Sequence, residues 1–336
     1  VTQRKGFAIA NGQPLKLGVL DLVPVLNGAD TSAALEQAAR LAQAAEALGY
    51  GRYWAAEHHD MPGLACTAPE VLLAHVGART RRIRLGSGAL LLPHYRPLKV
   101  AESFHMLASL YPGRIDLGIG RAPGGTAHVS MAMSGNFLEH VREMPELLRS
   151  LTELVGGRYE YEGVPVTARP VPAEPPELWL LGTNARSAGY AAQFGTGYVF
   201  GQFMSDAGAE EALAAYRGGF VPSRLCPSPR VMIAVGAVCA ETEAEARQLA
   251  ASAGALFRPE GAGDSAADST PLPGDSPAGG PAEGRRLLAG RPEDVAAQLR
   301  ELSRRYGTDE FIVVTMTGDY RKRLRSYKLL AEALWG

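Results

Sequence analysis

Residues 177–203 read ELWLLGTNARSAGYAAQFGTGYVFGQF, and the spacing of the apolar residues changes twice along them. Glu177 to Leu181 is a short β-rich run, Ala185 to Phe194 has helical spacing, and Tyr198 to Phe203 is β-rich again. A change of period of this kind predicts a strand, a crossover helix and a second, parallel strand. Asn184 stands where a helix N-cap is expected, and its side chain suits that place.

The same alternation extends in both directions from this stretch. Towards the N-terminus, strands are predicted at Lys16 to Asp21, Arg52 to Ala56, Ile83 to Leu91 and Arg114 to Gly120. Helices are predicted at Ser32 to Leu48, Pro69 to Arg79 and from Pro97 onward, with a fourth between Phe137 and Leu154 and a short hairpin over Arg158 to Gly163. Ile83 to Leu91 is nearly all apolar, as in a strand covered on both faces. Towards the C-terminus follow a helix at Ala209 to Tyr216, a strand at Val231 to Cys239 and a helix at Glu243 to Leu256. Pro292 to Tyr306 reads as an extra helix, Phe311 to Met316 as the last strand and Tyr320 to Leu334 as the closing helix. Eight βα alternations predict an α/β fold, a single (β/α)8 TIM barrel over residues 1–336 with insertions, in preference to an open doubly wound sheet. Between Arg258 and Arg285 the chain is rich in Gly, Pro, Ala, Ser and Asp, a composition expected of a flexible loop.

Composition narrows the function. Over 336 residues, 46% are hydrophobic and 21% charged, as in a globular protein with a sizeable core. A formal net charge of -1 provides no field to draw the chain to nucleic acid or an anionic membrane. Basic runs such as Arg79 to Arg84 and Arg321 to Arg325 read as solvated element ends. Cys66, Cys226 and Cys239 fit neither a disulfide framework nor a metal-ligand spacing. No run approaches the roughly 20 apolar residues that span a bilayer, and the N-terminal apolar run is broken by Asn11, Gly12 and Pro14. A cytoplasmic protein is expected.

In a (β/α)8 barrel the chemistry lies where strands end. The second strand leads into Glu57, His58 and His59, an acid and two imidazoles that titrate near neutrality. A plain polar loop explains them equally well; a metal site lacks a third ligand motif. Gly86 and Gly88 interrupt the third strand, either to let a ligand approach the backbone or to pack a narrow barrel layer. Leu92 to Pro97 forms a rim loop after it. Gly118, Ile119, Gly120 and Arg121 end the fourth strand, with an arginine able to pair with phosphate. Gly182, Thr183 and Asn184 end the fifth and open a helix whose free amides suit phosphate.

Four stretches, in this order and spacing, resemble the luciferase-like flavin-dependent monooxygenase superfamily: WAAEHH at 54–59, LGSGALLLPHYRPLKVAE at 85–102, PGRIDLGIGR at 112–121 and LGTNARSAGYAAQFGTGY at 181–198. The likeness runs from Lys16 to about Leu334 and is closer to bacterial luciferase-like oxidoreductases than to luciferase. It implies reduced FMN as co-substrate, delivered by a separate NAD(P)H-dependent flavin reductase. It also implies O2 activation at the flavin C4a position, through a peroxyflavin, and oxygenation of a small organic substrate. His58 would assist at the flavin with Glu57 and His59 in support. A non-proline cis peptide at Gly88 and Ala89 would lie beneath the ring, beside Gly86 and Gly120. Arg121, Gly182, Thr183, Asn184 and Ser187 would hold the phosphate. Residues 258–285 would be a mobile lid, and a homodimer would form through the helices near Pro69 to Arg79 and Pro97 to Tyr111. Gly120 stands where luciferase carries a reactive cysteine, so light emission is not implied. Two alternatives stay open: hydride transfer with a deazaflavin coenzyme on the same scaffold, and a non-catalytic flavin carrier.

Overall fold

The computed structural model describes residues 14–26, 28–255 and 287–336. Eight strands close a parallel barrel in the order β1 (Lys16–Asp21), β2 (Arg52–Ala55), β3 (Arg84–Ser87), β5 (Ile115–Gly120), β8 (Glu177–Gly182), β9 (Gly197–Gly201), β10 (Val231–Cys239) and β12 (Glu310–Val314). The pairing of β12 with β1, Lys16 opposite Glu310, completes the ring. The outer layer consists of α1 (Thr31–Leu48), α2 (Pro69–Gly77), α3 (Pro97–Leu110), α6 (Met144–Val155), α7 (Ala185–Gln193), α8 (Ala209–Gly218), α9 (Glu243–Ala255), α10 (Pro292–Tyr306) and α11 (Tyr320–Trp335). The βα alternation read from the sequence is therefore a closed barrel.

Three local readings change. The apolar run 83–91 is two strands: after β3 the chain turns through a cis Gly88–Ala89 peptide, and β4 (Leu90–Leu91) continues against β5 alone. The region 122–155 holds three helices, α4 (Ala127–Ser134), α5 (Phe137–Arg142) and α6, where a single one was expected. A further strand, β11 (Leu287–Gly290), pairs with the C-terminal half of β10, Gly236 opposite Leu287. The expected hairpin is β6 (Glu160–Tyr161) with β7 (Val164–Pro165). The proposed lid at 258–285 lies outside the described residues.

The barrel interior is filled by two indoles, each facing a glycine on the next strand. A Cβ on Gly86 would stand 2.5 Å from Trp54 Nε1, and one on Gly197 2.4 Å from the Trp179 ring. The two rings meet edge to face at 6.1 Å between Leu20, Val199, Met232, Ala234 and Ile312. Aromatic rings favour this geometry, and it leaves no channel down the axis.

Charged residues close the N-terminal end of the strands. Asp116, fully buried, accepts from Arg52, Arg84 and the Trp54 indole, the last at 2.9 Å. Arg52 also donates to Glu310 at 2.7 Å, and Arg230 to Glu177 at 2.8 Å. Both guanidiniums lie over the Trp179 ring, 5.1 and 4.6 Å from its centre. Arg52 and Arg84 hold the Asp116 carboxyl below its ordinary range, outweighing the burial that opposes ionisation.

Candidate active site

At the opposite end, the loop after β2 carries Glu57, His58 and His59. Each backbone amide is pinned separately: Glu57 to the Ala89 carbonyl at 3.3 Å, His58 to Cys66 at 2.9 Å and His59 to Gly124 at 2.8 Å. The Glu57 carboxylate is almost fully buried, faces the His59 ring (Oε1 to Nε2, 2.7 Å) and accepts from the Leu91 amide at 3.0 Å. His58 differs. Its Nδ1 is buried and has no hydrogen-bond partner among the described residues. Burial, reinforced by the neighbouring His59, pushes its pKa down to about 4. The ring is neutral at ordinary pH, able to donate at one nitrogen and accept at the other.

The glycines divide into two groups. Gly88 sits over the barrel plug, where a Cβ would meet Leu20 at 2.6 Å and Trp54 at 3.2 Å. A Cβ on Gly120 would meet Ala89 at 2.9 Å, so Gly120 lets β5 run close beside the cis peptide. Gly86, predicted as a cofactor contact, is not at the mouth. The space above it is occupied by the Trp54 indole, and it belongs to the barrel packing.

The β5 and β8 register, Ile119 opposite Leu180, places Arg121 beside Gly182 where the two strands leave the barrel. Asn184 caps α7, its Oδ1 accepting from the Ser187 amide at 3.1 Å. The Ser187 hydroxyl is buried, donating to the Asn184 carbonyl at 2.8 Å and lying 3.2 Å from the Tyr198 hydroxyl. A Cβ on Gly182 would strike that hydroxyl at 2.1 Å. Gly182 and Ser187 thus shape the helix entry from below, while Thr183, Asn184, Ala185 and Arg186 face outward into a depression of about 330 Å³. Its other wall, Ala207, Gly208 and Glu211 at the start of α8, was not among the predicted residues. Nothing local marks those residues; only the adjacency of β8 and β9 brings them there.

Between the histidine loop and this depression the plug ends in Leu22, Leu181, Phe203 and Met316, partly buried and packed on the indole cluster. The mouth therefore has an apolar floor, one unpartnered imidazole nitrogen and a helix-end cradle on the side. That set suits FMN: a flat ring on the floor, with the phosphate at an N-terminus where free amides and the helix dipole favour an anion. No group of three or more His, Cys, Asp or Glu able to hold a metal occurs among the described residues.

Comparison with known proteins gives the family. The sequence profile described as luciferase-like monooxygenase matches residues 15–310. The uncharacterised protein YwcH of Bacillus subtilis is 39% identical, the alignment covering 95% of this chain and 99% of YwcH. The N-acetyl-S-alkylcysteine monooxygenase of the same organism is 34% identical, covering 95% of this chain and 98% of its own. Among solved structures, apo-MsnO8 superposes with a TM-score of 0.81 at 38% identity, covering 95% of this chain and 98% of that one. A profile match over that span, with relatives more than a third identical along nearly their whole length, makes this chain a member of the luciferase-like monooxygenase family.

Proposed function

We infer that the chain is an FMN-dependent monooxygenase that oxidises a small organic substrate with O2. The observation that carries this reading is the unpartnered His58 Nδ1 beside an apolar floor, across the mouth from a helix-end cradle. When bound, reduced FMN supplies the activation of O2 and the transfer of one oxygen atom.

The residues have separate tasks. Arg121 and the outward face of Thr183 to Arg186 hold the phosphate by charge and amide hydrogen bonds. The apolar residues Leu22, Leu181, Phe203 and Met316 exclude water from the reacting centre and receive the apolar part of a substrate. The neutral His58 ring holds or delivers a proton at the mouth, and its depressed pKa keeps it from carrying a charge there. Glu57 and His59 fix the loop from which His58 projects.

Reduced flavin comes from a separate NAD(P)H-dependent flavin reductase, since the helix-end cradle seen among the described residues is taken by the FMN phosphate. A second copy of the chain packs on α2 and α3, where Val71, Met106 and Leu110 are exposed on adjacent helices. The three cysteines are free and buried, which fits a reducing compartment. No described helix is long and apolar enough to cross a membrane.

The test is isotopic. The protein, reduced FMN and a panel of small organic compounds, thioethers included, are mixed with 18O2, and the products are weighed by mass spectrometry. One 18O atom in a product supports the reading. Hydride transfer from a reduced deazaflavin without oxygen uptake, or FMN binding with no product, overturns it.

A further inference from the structure

The rim loop Leu92 to Pro97 reaches the histidine loop from two sides. Tyr95 donates its hydroxyl to Glu57 Oε1 at 2.7 Å, the same oxygen that faces His59 Nε2 at 2.7 Å. With the Leu91 amide on Oε2, the buried carboxylate accepts two hydrogen bonds besides its contact with the His59 ring. The adjacent His94 works on the backbone. Its Nε2 lies 2.9 Å from the Pro123 carbonyl and its Nδ1 3.1 Å from the Ser134 hydroxyl, and the ring stacks on Phe137 at 4.9 Å. The next carbonyl after Pro123, that of Gly124, accepts the His59 amide. His94 also meets the His59 ring edge to face at 6.1 Å.

We propose that Tyr95 is a positioning residue of the oxygenation: by sharing Glu57 Oε1 with His59 it sets the orientation of the His59 ring, and through it the placement of His58 at the mouth. An ionised carboxylate is an acceptor only, so a ring nitrogen bonded to it bears a hydrogen. His59 is thereby held with hydrogen on Nε2. Without the tyrosine hydroxyl, Oε1 loses one of its two donors, and the ring and carboxylate settle at a different distance and angle. Displacements of a catalytic group far below the size of a side chain are costly in rate. Tyr95 has no contact with the floor or the phosphate cradle, so its effect is on the chemical step and not on cofactor affinity.

This inference rests on the reading of the histidine loop as the reacting edge, and the test separates the two. Tyr95→Phe removes one oxygen and keeps the ring. In full-length protein with 15N-labelled histidine, the His59 ring signals are expected to shift while keeping the pattern of a ring protonated at Nε2. In turnover with reduced FMN and O2, kcat is expected to fall by about tenfold or more, with KM and FMN affinity unchanged. Glu57→Gln, which keeps the shape and removes the charge, is expected to move the same His59 signals. Unchanged His59 signals in Tyr95→Phe overturn the proposal, as does full turnover despite altered signals. If His58→Ala turns over normally, the reading of the loop falls, while the His59 signals of Tyr95→Phe still decide whether Tyr95 sets that ring.

Discussion

The two ends of this barrel are built from similar residues to opposite effect. At the N-terminal end the charges satisfy one another: Asp116 is shared by Arg52 and Arg84, Glu177 is bridged to Arg230, and two guanidiniums lie over Trp179. At the C-terminal end buried polar atoms have been left without a partner among the described residues, the Nδ1 of His58 and the Oε1 of Gln202. A buried polar group without a partner raises the free energy of the fold, and such groups persist where a ligand or a reaction uses them. The paired end is therefore the stabilising face, and the incomplete end the working face.

The largest expected effect lies at the paired end. Asp116→Ala leaves the buried Arg52 and the part-buried Arg84 without their shared carboxylate, a loss of about 3–5 kcal/mol. Urea unfolding should show it, while turnover per folded molecule stays normal. A stable Asp116→Ala protein would erase the contrast. At the other end His58→Ala should lower product yield roughly a hundredfold, with FMN binding and the urea midpoint close to wild type. A yield equal to wild type would remove His58 from the chemistry.

Arg121→Ala is a sharper probe of the cradle. The loss of a charged hydrogen bond to phosphate should weaken FMN binding about tenfold to a hundredfold. Riboflavin, which has no phosphate, should bind both proteins alike; an equal loss for both ligands would place Arg121 outside the phosphate site. Gly86→Ala tests the assignment of that glycine to the core. Overpacking against Trp54 should cost about 1–3 kcal/mol and leave FMN affinity untouched.

A last effect is on the pH dependence of stability. His58 has a folded pKa of about 4, below the unfolded value of 6.5, so the unfolded chain binds more protons between these pH values. Its contribution is fully present above pH 6.5 and is lost as pH falls towards 4. Replacing His58 by Gln should flatten the fall of the unfolding temperature over that interval. An unaltered slope would mean that the ring is not buried neutral.

The barrel was legible because strands covered on both faces leave long apolar runs between helical stretches, as in Val231 to Cys239. The split of residues 83–91 was not, since an apolar run says nothing about which neighbour each part pairs with. β11 is four residues at the edge of a Gly- and Pro-rich segment, too short to show a period. α4 lies among glycines and buries little of its surface, with Met131 exposed, so its apolar residues form no stripe. In the candidate site, Glu57 to His59 and Thr183 to Asn184 stand out in the sequence because polar residues follow strand ends. Gly86 was misplaced because a glycine reads alike whether its missing side chain makes room for a ligand or for an indole. Ala207 and Gly208 carry no chemistry of their own.

The two edge-to-face indoles also give the molecule an optical property. The chain has three tryptophans; Trp335 is at the far end of the fold, bonded to the Leu15 carbonyl, and the other two lie under the mouth. Trp54 packs against the Gly88 backbone at the mouth, so a flavin bound in the mouth would come close to an ultraviolet emitter. With Trp335→Phe the remaining emission comes from the barrel plug alone. Cofactor arrival, and its loss in any rim variant, then becomes readable as quenching, without a dye or a known substrate.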